Sequence, residues 1–169
     1  MKQDTDQLFE ELCKNHPDLM KKSQQEYFGV GPGWFNLIDV LCGGISRRVN
    51  MIRQQLKYAL ENQNSKFAKP IIELEADLHN EIEALPVIVQ IKEKFGGLRF
   101  YVDGATDEVD NYIAFAEQLS NRICEECGAP GTHRDNGWIR TLCDKHANPE
   151  VNVKVTSARH GDGPKLSDE

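Results

Sequence analysis

Hydrophobic residues recur every three or four positions through the first half of the chain, which is the spacing of amphipathic helices. A first helical segment spans residues 5–22, and Pro17 ends or kinks it. The glycine-rich stretch 29–33 predicts a loop before the second segment. The paired glycines at 43–44 allow that second segment to form two helices. Its apolar positions are Phe35, Ile38, Leu41, Ile45, Val49, Ile52, Leu56 and Leu60.

The charged residues of the helical region fall into one basic segment and one acidic segment. Residues 45–58 carry arginine and lysine without an acidic residue, whereas residues 71–83 carry aspartate and glutamate without arginine or lysine. Opposite charges favour packing of the two segments as antiparallel neighbours with solvated flanks and ion pairs. The alternative for residues 45–58 is an anion-binding arginine face.

The hydrophobic period changes from that of a helix to that of a strand after Pro86. Alternation on both sides of a glycine pair predicts a β-hairpin over residues 87–102. With Gly96 and Gly97 as the central turn residues, Lys94 would pair with Arg99. Lys92 would pair with Tyr101 in the same register. The predicted core face of the hairpin consists of Val87, Val89, Ile91, Phe95, Leu98, Phe100 and Val102.

The opposite face of the hairpin carries Gln90 and a cationic group formed by Lys92, Lys94 and Arg99, with Tyr101 beside it. Such a group suits a phosphate, a nucleotide or an acidic partner surface. Solvated strand exteriors also carry lysine and arginine, which discourage aggregation at sheet edges. Two tryptophans, Trp34 and Trp138, would add stacking surfaces if they approach this face.

The most informative chemistry lies near the C-terminal end. Cys124 and Cys127 form a C-x-x-C pair, and Cys143 and His146 form a C-x-x-H pair. Two short ligand pairs that converge across a loop are what a tetrahedral zinc ion needs. Four protein ligands close the coordination sphere, so we expect a structural Zn²⁺ rather than a catalytic one. His133 is the alternative fourth ligand, but its spacing fits less well.

Other roles for the cysteines fit the sequence less well. A redox C-x-x-C would stand at a strand-to-helix turn, whereas Cys124 follows a helical pattern in which Thr106 or Asp107 caps the start. The opening residues lack the apolar stretch of a signal peptide, which argues against an oxidising destination. We interpret Cys13 and Cys42 as buried small hydrophobic residues.

These patterns predict an α+β fold in which a helical N-terminal part packs on a small antiparallel β-hairpin sheet, followed by a C-terminal zinc-ribbon-like module. Asp135-Asn136-Gly137 is the turn of the hairpin expected within that module. The predicted domains are a core over 1–121, a zinc-binding module over 122–147 and a mostly flexible tail over 148–169. Three valines of the tail alternate as in a short edge strand: Val151, Val153 and Val155.

The composition of the chain limits the kinds of partner that we expect the protein to bind. The chain has 169 residues, a formal net charge of −7 and a pI near 5.3. An acidic protein does not coat nucleic acid non-specifically, because that binding depends on phosphate neutralisation by clustered basic residues. No apolar run of about 18 residues is present, so we expect a soluble, cytoplasmic protein that does not enter a membrane.

Three stretches carry a resemblance. They are Gly33-Trp34-Phe35-Asn36-Leu37-Ile38, the stretch from Gln90 to Tyr101 that reads QIKEKFGGLRFY, and the two metal-ligand pairs with their neighbours. Over roughly residues 30–147 the chain resembles a family of small zinc-knuckle proteins encoded by tailed phages, prophages and some bacteria. The resemblance implies a phage accessory protein in the host cytosol and assigns no site.

The sequence contains no recognisable nucleophile elbow, zinc-protease motif or paired-carboxylate motif, which favours a non-enzymatic protein without deciding the matter. The leading hypothesis is a binder of a phosphate-bearing, nucleotide-like ligand that sequesters a host defence signal. The alternatives are a zinc-dependent nucleic-acid-binding regulator and a protein-interaction adaptor that inhibits a host enzyme. The sequence leaves the oligomeric state open, a homo-oligomer included.

Overall fold

The computed structural model describes residues 5–23, 28–62, 69–135 and 137–148. Its helices and small sheets confirm the α+β class. In chain order the elements are α1 (Thr5–Asn15), α2 (Pro17–Lys21), β1 (Phe28–Gly29), a 3₁₀ turn (Pro32–Trp34), α3 (Phe35–Ile45), α4 (Arg47–Glu61), α5 (Ile71–Glu83), β2 (Val87–Lys94), β3 (Gly97–Asp103), α6 (Asp107–Ser120), β4 (Thr132–Asp135), β5 (Ile139–Leu142) and α7 (Asp144–Ala147).

The helical N-terminal part has two breaks, one at the predicted position and one displaced from it. Pro17 separates α1 from α2, as predicted, because proline suits the first turn of a helix and not its interior. The second break falls at Ser46 rather than at Gly43 and Gly44, through which α3 runs without interruption. Gly44 faces the ring of Tyr112 where α3 packs on α6, and a Cβ there would lie 3.7 Å from that ring, an ordinary van der Waals distance.

The charged helices α4 and α5 pack side by side, which confirms the prediction for residues 45–58 and 71–83. Arg48 Nη2 lies 2.7 Å from Glu81 Oε1 across that contact. Arg53 instead pairs with Asp18 of α2, at 2.5 Å. The basic side of α4 therefore contacts two different helices.

The first sheet has three strands in the order β1-β2-β3. β1 pairs in parallel with β2 through Phe28 opposite Ile91 and Gly29 opposite Lys92. The sequence predicted a loop from Gly29 onward, and this two-residue strand is too short to show a period. β2 and β3 form the predicted antiparallel hairpin.

The turn of this hairpin is formed by Phe95 and Gly96, with φ of 53° and 73°, and the predicted Gly96–Gly97 turn is wrong by one position. Lys92 consequently pairs with Arg99, and Lys94 pairs with Gly97. Two adjacent residues with positive φ match the type I′ turn that suits strand twist. The pairing differs from the predicted one by two residues on one strand, so each side chain keeps its face.

Two residues predicted on the core face of the hairpin are exposed instead. Phe95 is 67% exposed because it occupies the turn. Val89 is 36% exposed because the register shifts between Ile88 and Gln90, where a bulge turns Ile88 into the core in its place. Ile91, Leu98 and Phe100 are buried as predicted, and Val102 packs against the core. Val87 is half-buried opposite Asp103 and lies on the other face from Ile88, so its predicted place on the core face is wrong.

The main core lies between the helices and this sheet. Thr106 caps the N-terminus of α6, because its hydroxyl accepts a hydrogen bond from the Val109 amide, as the capping pattern predicted. The principal buried residues of the core are Leu12, Leu19, Met20, Trp34, Ile38, Leu41, Cys42, Ile45, Val49, Leu85, Ile88, Ile91, Leu98, Phe100, Val109, Ile113 and Ala116.

The second sheet consists of β4 and β5, which pair antiparallel from Thr132 opposite Leu142 to Asp135 opposite Ile139. The predicted edge strand at 151–155 and the predicted flexible tail lie outside the described residues, apart from Asn148. No helix among the described residues is long and apolar enough to cross a membrane.

Candidate metal centre

The first ligand pair lies on a tight turn after α6. The Cys124 amide donates to the carbonyl of Ala129 at 2.7 Å, and the Gly128 amide donates back to the carbonyl of Cys124 at 2.9 Å. Gly128 has a φ of 74°, which glycine adopts without strain. This turn brings Cys127 round to the same side as Cys124.

The second pair lies where β5 passes into the short helix α7. Cys143 is the residue before that helix, and the amides of His146 and Ala147 donate to its carbonyl. Residues three apart on a helical turn share a face, so the imidazole of His146 reaches the same point as the sulfur of Cys143. The β4–β5 hairpin thus carries the second pair back to the first.

All four ligand atoms lie within 4.8 Å of one another. Nδ1 of His146 is 3.4 Å from Sγ of Cys124 and 3.4 Å from Sγ of Cys143. Sγ of Cys127 is 3.8 Å from Sγ of Cys143. A tetrahedral zinc ion would separate two sulfurs by about 3.8 Å, and sulfur from nitrogen by about 3.6 Å. The four side chains therefore have the geometry to hold a metal ion.

A disulfide does not explain this cluster. The 3.8 Å between Sγ of Cys127 and Sγ of Cys143 is far longer than the S–S bond of about 2.05 Å. All the cysteines are free thiols, including Cys13 and Cys42. Cys42 is buried as predicted, and burial raises the pKa of its thiol to about 12, so it stays neutral.

The surroundings favour a thiolate at one ligand. Burial is the largest influence on the pKa of the Cys143 thiol and raises it. The backbone N–H of His146 and hydrogen bonds with the other two cysteine ligands act in the opposite direction, so the pKa of Cys143 lies below its ordinary value. Cys127 is exposed, and desolvation nevertheless raises the pKa of its thiol.

His133 is not part of the group. Its Nε2 lies 2.9 Å from Oδ1 of Asn121, at the end of α6. His146, which the ligand spacing favoured, is the histidine that lies with the three cysteines.

The loop before α3 docks directly on the first ligand pair. The Gly33 amide donates to the carbonyl of Glu125 at 2.8 Å. Nε1 of Trp34 donates to the carbonyl of Ile123 at 2.8 Å, and Trp34 is completely buried. Trp34 is therefore a core residue that anchors the ligand turn, and the prediction of a stacking surface there needs correction.

The tip of the β2–β3 hairpin forms a second contact with the metal region. Oγ1 of Thr141, which is fully buried, donates to the carbonyl of Gly96 at 2.6 Å. The backbone of Arg140 approaches Gly96 so closely that a Cβ there would lie 3.1 Å from its carbonyl carbon. The core and the ligand-bearing segment are thus joined through backbone atoms at two places.

The predicted cationic face brings four of the six predicted ligand-binding residues together. Lys92 and Arg99 are cross-strand neighbours, and Nζ of Lys92 lies 5.4 Å from the ring centroid of Tyr101. Nζ of Lys94 lies 5.4 Å from the ring centroid of Phe95 at the hairpin tip. Tyr101 is 43% exposed, so its ring is open to solvent.

Trp138 does not join this face. It is 71% exposed and lines a cavity together with Glu93, whose side chain points to the opposite face of β2 from Lys92 and Lys94. Neither tryptophan therefore stacks beside the cationic face.

The structure also brings together three charged side chains, Arg140, Glu125 and Glu126, that the sequence did not indicate as a cluster. Arg140 contacts Glu125 through Nε and donates from Nη2 to Oε1 of Glu126 at 2.5 Å. Burial raises the pKa of Glu125, and the hydrogen bond with Arg140 opposes that rise. Arg140 lies 15 residues from Glu125 and 14 from Glu126 along the chain, so no local pattern could reveal the cluster.

Comparisons of the chain with protein-family models, curated proteins and solved structures find no match.

Proposed function

We propose that this protein is a zinc-stabilised, non-enzymatic binding protein that captures a phosphate-bearing, nucleotide-like ligand on the face formed by Lys92, Lys94, Arg99 and Tyr101. The zinc ion has a structural role and holds a zinc-ribbon-like module on the core. Four sulfur and imidazole ligands complete a tetrahedral sphere and leave no position for a reacting water. Cys124, Cys127, Cys143 and His146 would hold the ion.

The observation that carries the ligand proposal is the lack of carboxylate partners on this face. Within the described ranges, Lys92, Lys94 and Arg99 form no salt bridge, whereas Arg53 and Arg140 are paired with carboxylates. Lys92 and Lys94 lie over aromatic rings, and Nη1 of Arg99 donates to the carbonyl of Leu98 at 2.7 Å. Cations without a carboxylate partner on one strand face, within a protein of net charge −7, favour an external anion.

Tyr101 adds a reason to prefer a nucleotide over a bare phosphate. Its half-exposed ring lies beside Lys92, so a base could stack on the phenol while the phosphates contact the lysines and Arg99. Asp103, further along the same strand face, would disfavour a ligand that extends its negative charge in that direction.

Thermal stability in the presence of a nucleotide panel tests the proposal. We expect at least one anionic nucleotide to raise Tm, by an amount that grows with ligand concentration. The double variant Lys94→Glu and Arg99→Glu should abolish that rise while zinc content, measured by native mass spectrometry, stays at one ion per chain.

A matched control changes the same number of charges elsewhere. Lys21 and Lys57 are exposed and lie outside the hairpin, so their replacement by glutamate should leave the nucleotide response intact. Equal loss in both double variants would show a response to net charge alone. The absence of stabilisation by every nucleotide would contradict the proposal.

The resemblance described above extends this proposal to a location and a class of ligand. The resemblance to phage-encoded zinc-knuckle proteins suggests a host cytosol location and a ligand that is a signalling nucleotide of host defence. A nucleic-acid regulator gains less support, because Arg48 and Arg53 of the basic segment are engaged by Glu81 and Asp18.

A further inference from the structure

A cavity of about 480 Å³ lies between the N-terminal helix, β1 and the β4–β5 hairpin. It is on the opposite side of β2 from the cationic face and is separate from the four metal ligands. Its volume lies within the range of small-ligand sites, roughly 300–1,000 Å³. The residues that give it chemical character are Phe9, Phe28, Glu93, Glu125, Trp138 and Arg140.

Glu125 is an unusual carboxylate to find in this wall. Only 4% of the residue is exposed, and its Oε1 contacts Nε of Arg140. Its Oε2 is buried and has no hydrogen-bond partner among the described residues. A buried carboxylate oxygen without a donor is costly, because it has lost water and gained nothing in exchange. A donor supplied by a ligand would satisfy it.

The charge balance of the cavity favours a cation. Arg140 does not neutralise the wall, since its guanidinium is shared between Glu125 and a second carboxylate, Glu126, which lies outside the cavity lining. Glu93 adds another negative charge, although its Oε1 already accepts the Gly96 amide at 2.6 Å. An anionic ligand would meet these carboxylates, and a neutral apolar ligand would leave Glu125 unpaired.

The aromatic residues favour an organic cation over a metal ion. Trp138 is 71% exposed and lies beside the cavity. Phe9 and Phe28 pack edge to face in the wall, with ring centroids 4.9 Å apart. Ammonium and guanidinium groups interact with aromatic faces, with tryptophan the strongest partner. A metal ion would require several converging oxygen ligands, and the described residues bring no such carboxylate group together here.

We propose that this cavity binds an alkylammonium or guanidinium group, with Glu125 Oε2 as the acceptor and the indole of Trp138 lying against the cation. This group is either a free amine or the lysine or arginine side chain of a partner protein. The site is independent of the cationic face and recognises the opposite charge.

Isothermal titration calorimetry tests the inference with three probes: spermidine, arginine ethyl ester, and a capped alanine peptide containing one lysine and one arginine. Binding by any probe supports the site. Binding by the peptide alone assigns it to a partner protein, whereas equal binding of the small amines assigns it to a free amine.

Paired variants locate the binding. Glu125→Gln removes the charge of the proposed acceptor and should weaken binding about tenfold, the usual scale of a charge-assisted hydrogen bond. Glu126→Gln is the comparison: it keeps Glu125 as the acceptor and does not line the cavity, but it frees Arg140 to neutralise the wall, so it should weaken binding less than Glu125→Gln does. Trp138→Ala should weaken binding about threefold to tenfold.

Three results would overturn the proposal. These are no binding of any probe at about 5 mM, where even a millimolar dissociation constant would be evident, equal losses in the Glu125 and Glu126 variants, or equal displacement of the probe by Mg²⁺. If circular dichroism shows that Glu125→Gln does not fold, Trp138→Ala and Glu93→Gln decide, and parental affinity in both would reject the site.

Discussion

Gly33 is where the sequence permits the tightest approach between the core and the metal centre. A Cβ at this position would lie below 3.0 Å from the carbonyl oxygen of Cys124 and from the amides of Cys127 and Gly128. All three atoms belong to backbone that the ligand turn holds in place, so no flexible side chain could yield. The absence of a side chain at Gly33 therefore has a direct structural reason.

We expect Gly33→Ala to destabilise the protein by about 3 kcal/mol, at the upper end of what overpacking costs. Metal affinity should fall with stability, because the clash displaces the ligand turn. Urea unfolding and zinc competition measure the two effects. Gly29→Ala is the control, since a Cβ there meets nothing within 4 Å and should change stability by less than about 0.5 kcal/mol. Similar behaviour of the two variants would refute the docking argument.

The spacing of the ligands could be read directly from the sequence, whereas the role of Trp34 could not. C-x-x-C and C-x-x-H each specify one local turn, so their chemistry is contained in a few neighbouring residues. A tryptophan is equally suited to a core or to a stacking surface. Its bond to the Ile123 carbonyl joins residues 89 positions apart, and such a separation leaves no local pattern.

At the scale of an element, the turn of the β2–β3 hairpin holds a residue in a backbone conformation that its side chain disfavours. Its turn places Phe95 at a φ of 53°, although the left-handed region costs most residues about 1 kcal/mol or more. The predicted Gly96–Gly97 turn would have avoided this strain. The contacts of the Gly96 carbonyl with Thr141 and of its amide with Glu93 fix the observed turn instead.

We expect Phe95→Asn to stabilise the protein by about 0.5–1 kcal/mol, since asparagine tolerates positive φ and suits the type I′ turn. Little packing is lost, because Phe95 is 67% exposed. Phe115→Asn is the matched control: this phenylalanine is 68% exposed on α6, where asparagine is a poorer helix former and should destabilise slightly. Chemical denaturation distinguishes the two, and destabilisation by Phe95→Asn would contradict the strain.

The hairpin itself was predictable, and its local irregularity was not. Period-2 alternation around glycines specified two antiparallel strands and kept Ile91, Leu98 and Phe100 on the core face. The bulge that exposes Val89 depends on how β2 meets the rest of the core. A bulge inserts one residue without any required residue type, so alternation alone predicts the wrong face beyond it.

At the scale of the molecule, the proposed zinc ion would add to the stability that the hydrophobic core provides. We expect removal of the metal by a chelator to lower stability by about 4 kcal/mol, the linkage expected for a ligand at a thousand times its dissociation constant. In a chain of this size that corresponds to a fall in Tm of roughly 10 °C. Calorimetry before and after chelation, with metal restored at the end, measures it.

Two cysteine variants distinguish the stability lost with the metal ion from a general effect of removing a thiol. Cys127→Ser removes a ligand that is already exposed, so it should cost the metal while disturbing little packing. Cys13→Ser changes a half-buried thiol outside the centre and should keep one metal ion per chain. Unchanged metal content and Tm in the Cys127 variant would rule out the four-ligand centre.

The division of the chain into a core over 1–121 and a module over 122–147 stays a prediction. The hydrogen bonds of Gly33, Trp34 and Thr141 cross that boundary, and composition could not have indicated them. All three end on backbone carbonyl oxygens, an acceptor that every residue possesses.

The bond between Trp34 and Ile123 ties the most enclosed aromatic ring of the core to the residue before the first sulfur ligand. On the proposal of a structural zinc ion, a newly made chain without that ion would lack a firm anchor for the ring. Proteases degrade chains in proportion to their unfolded fraction, so the amount of this protein in a cell would follow the zinc supply without a dedicated regulator.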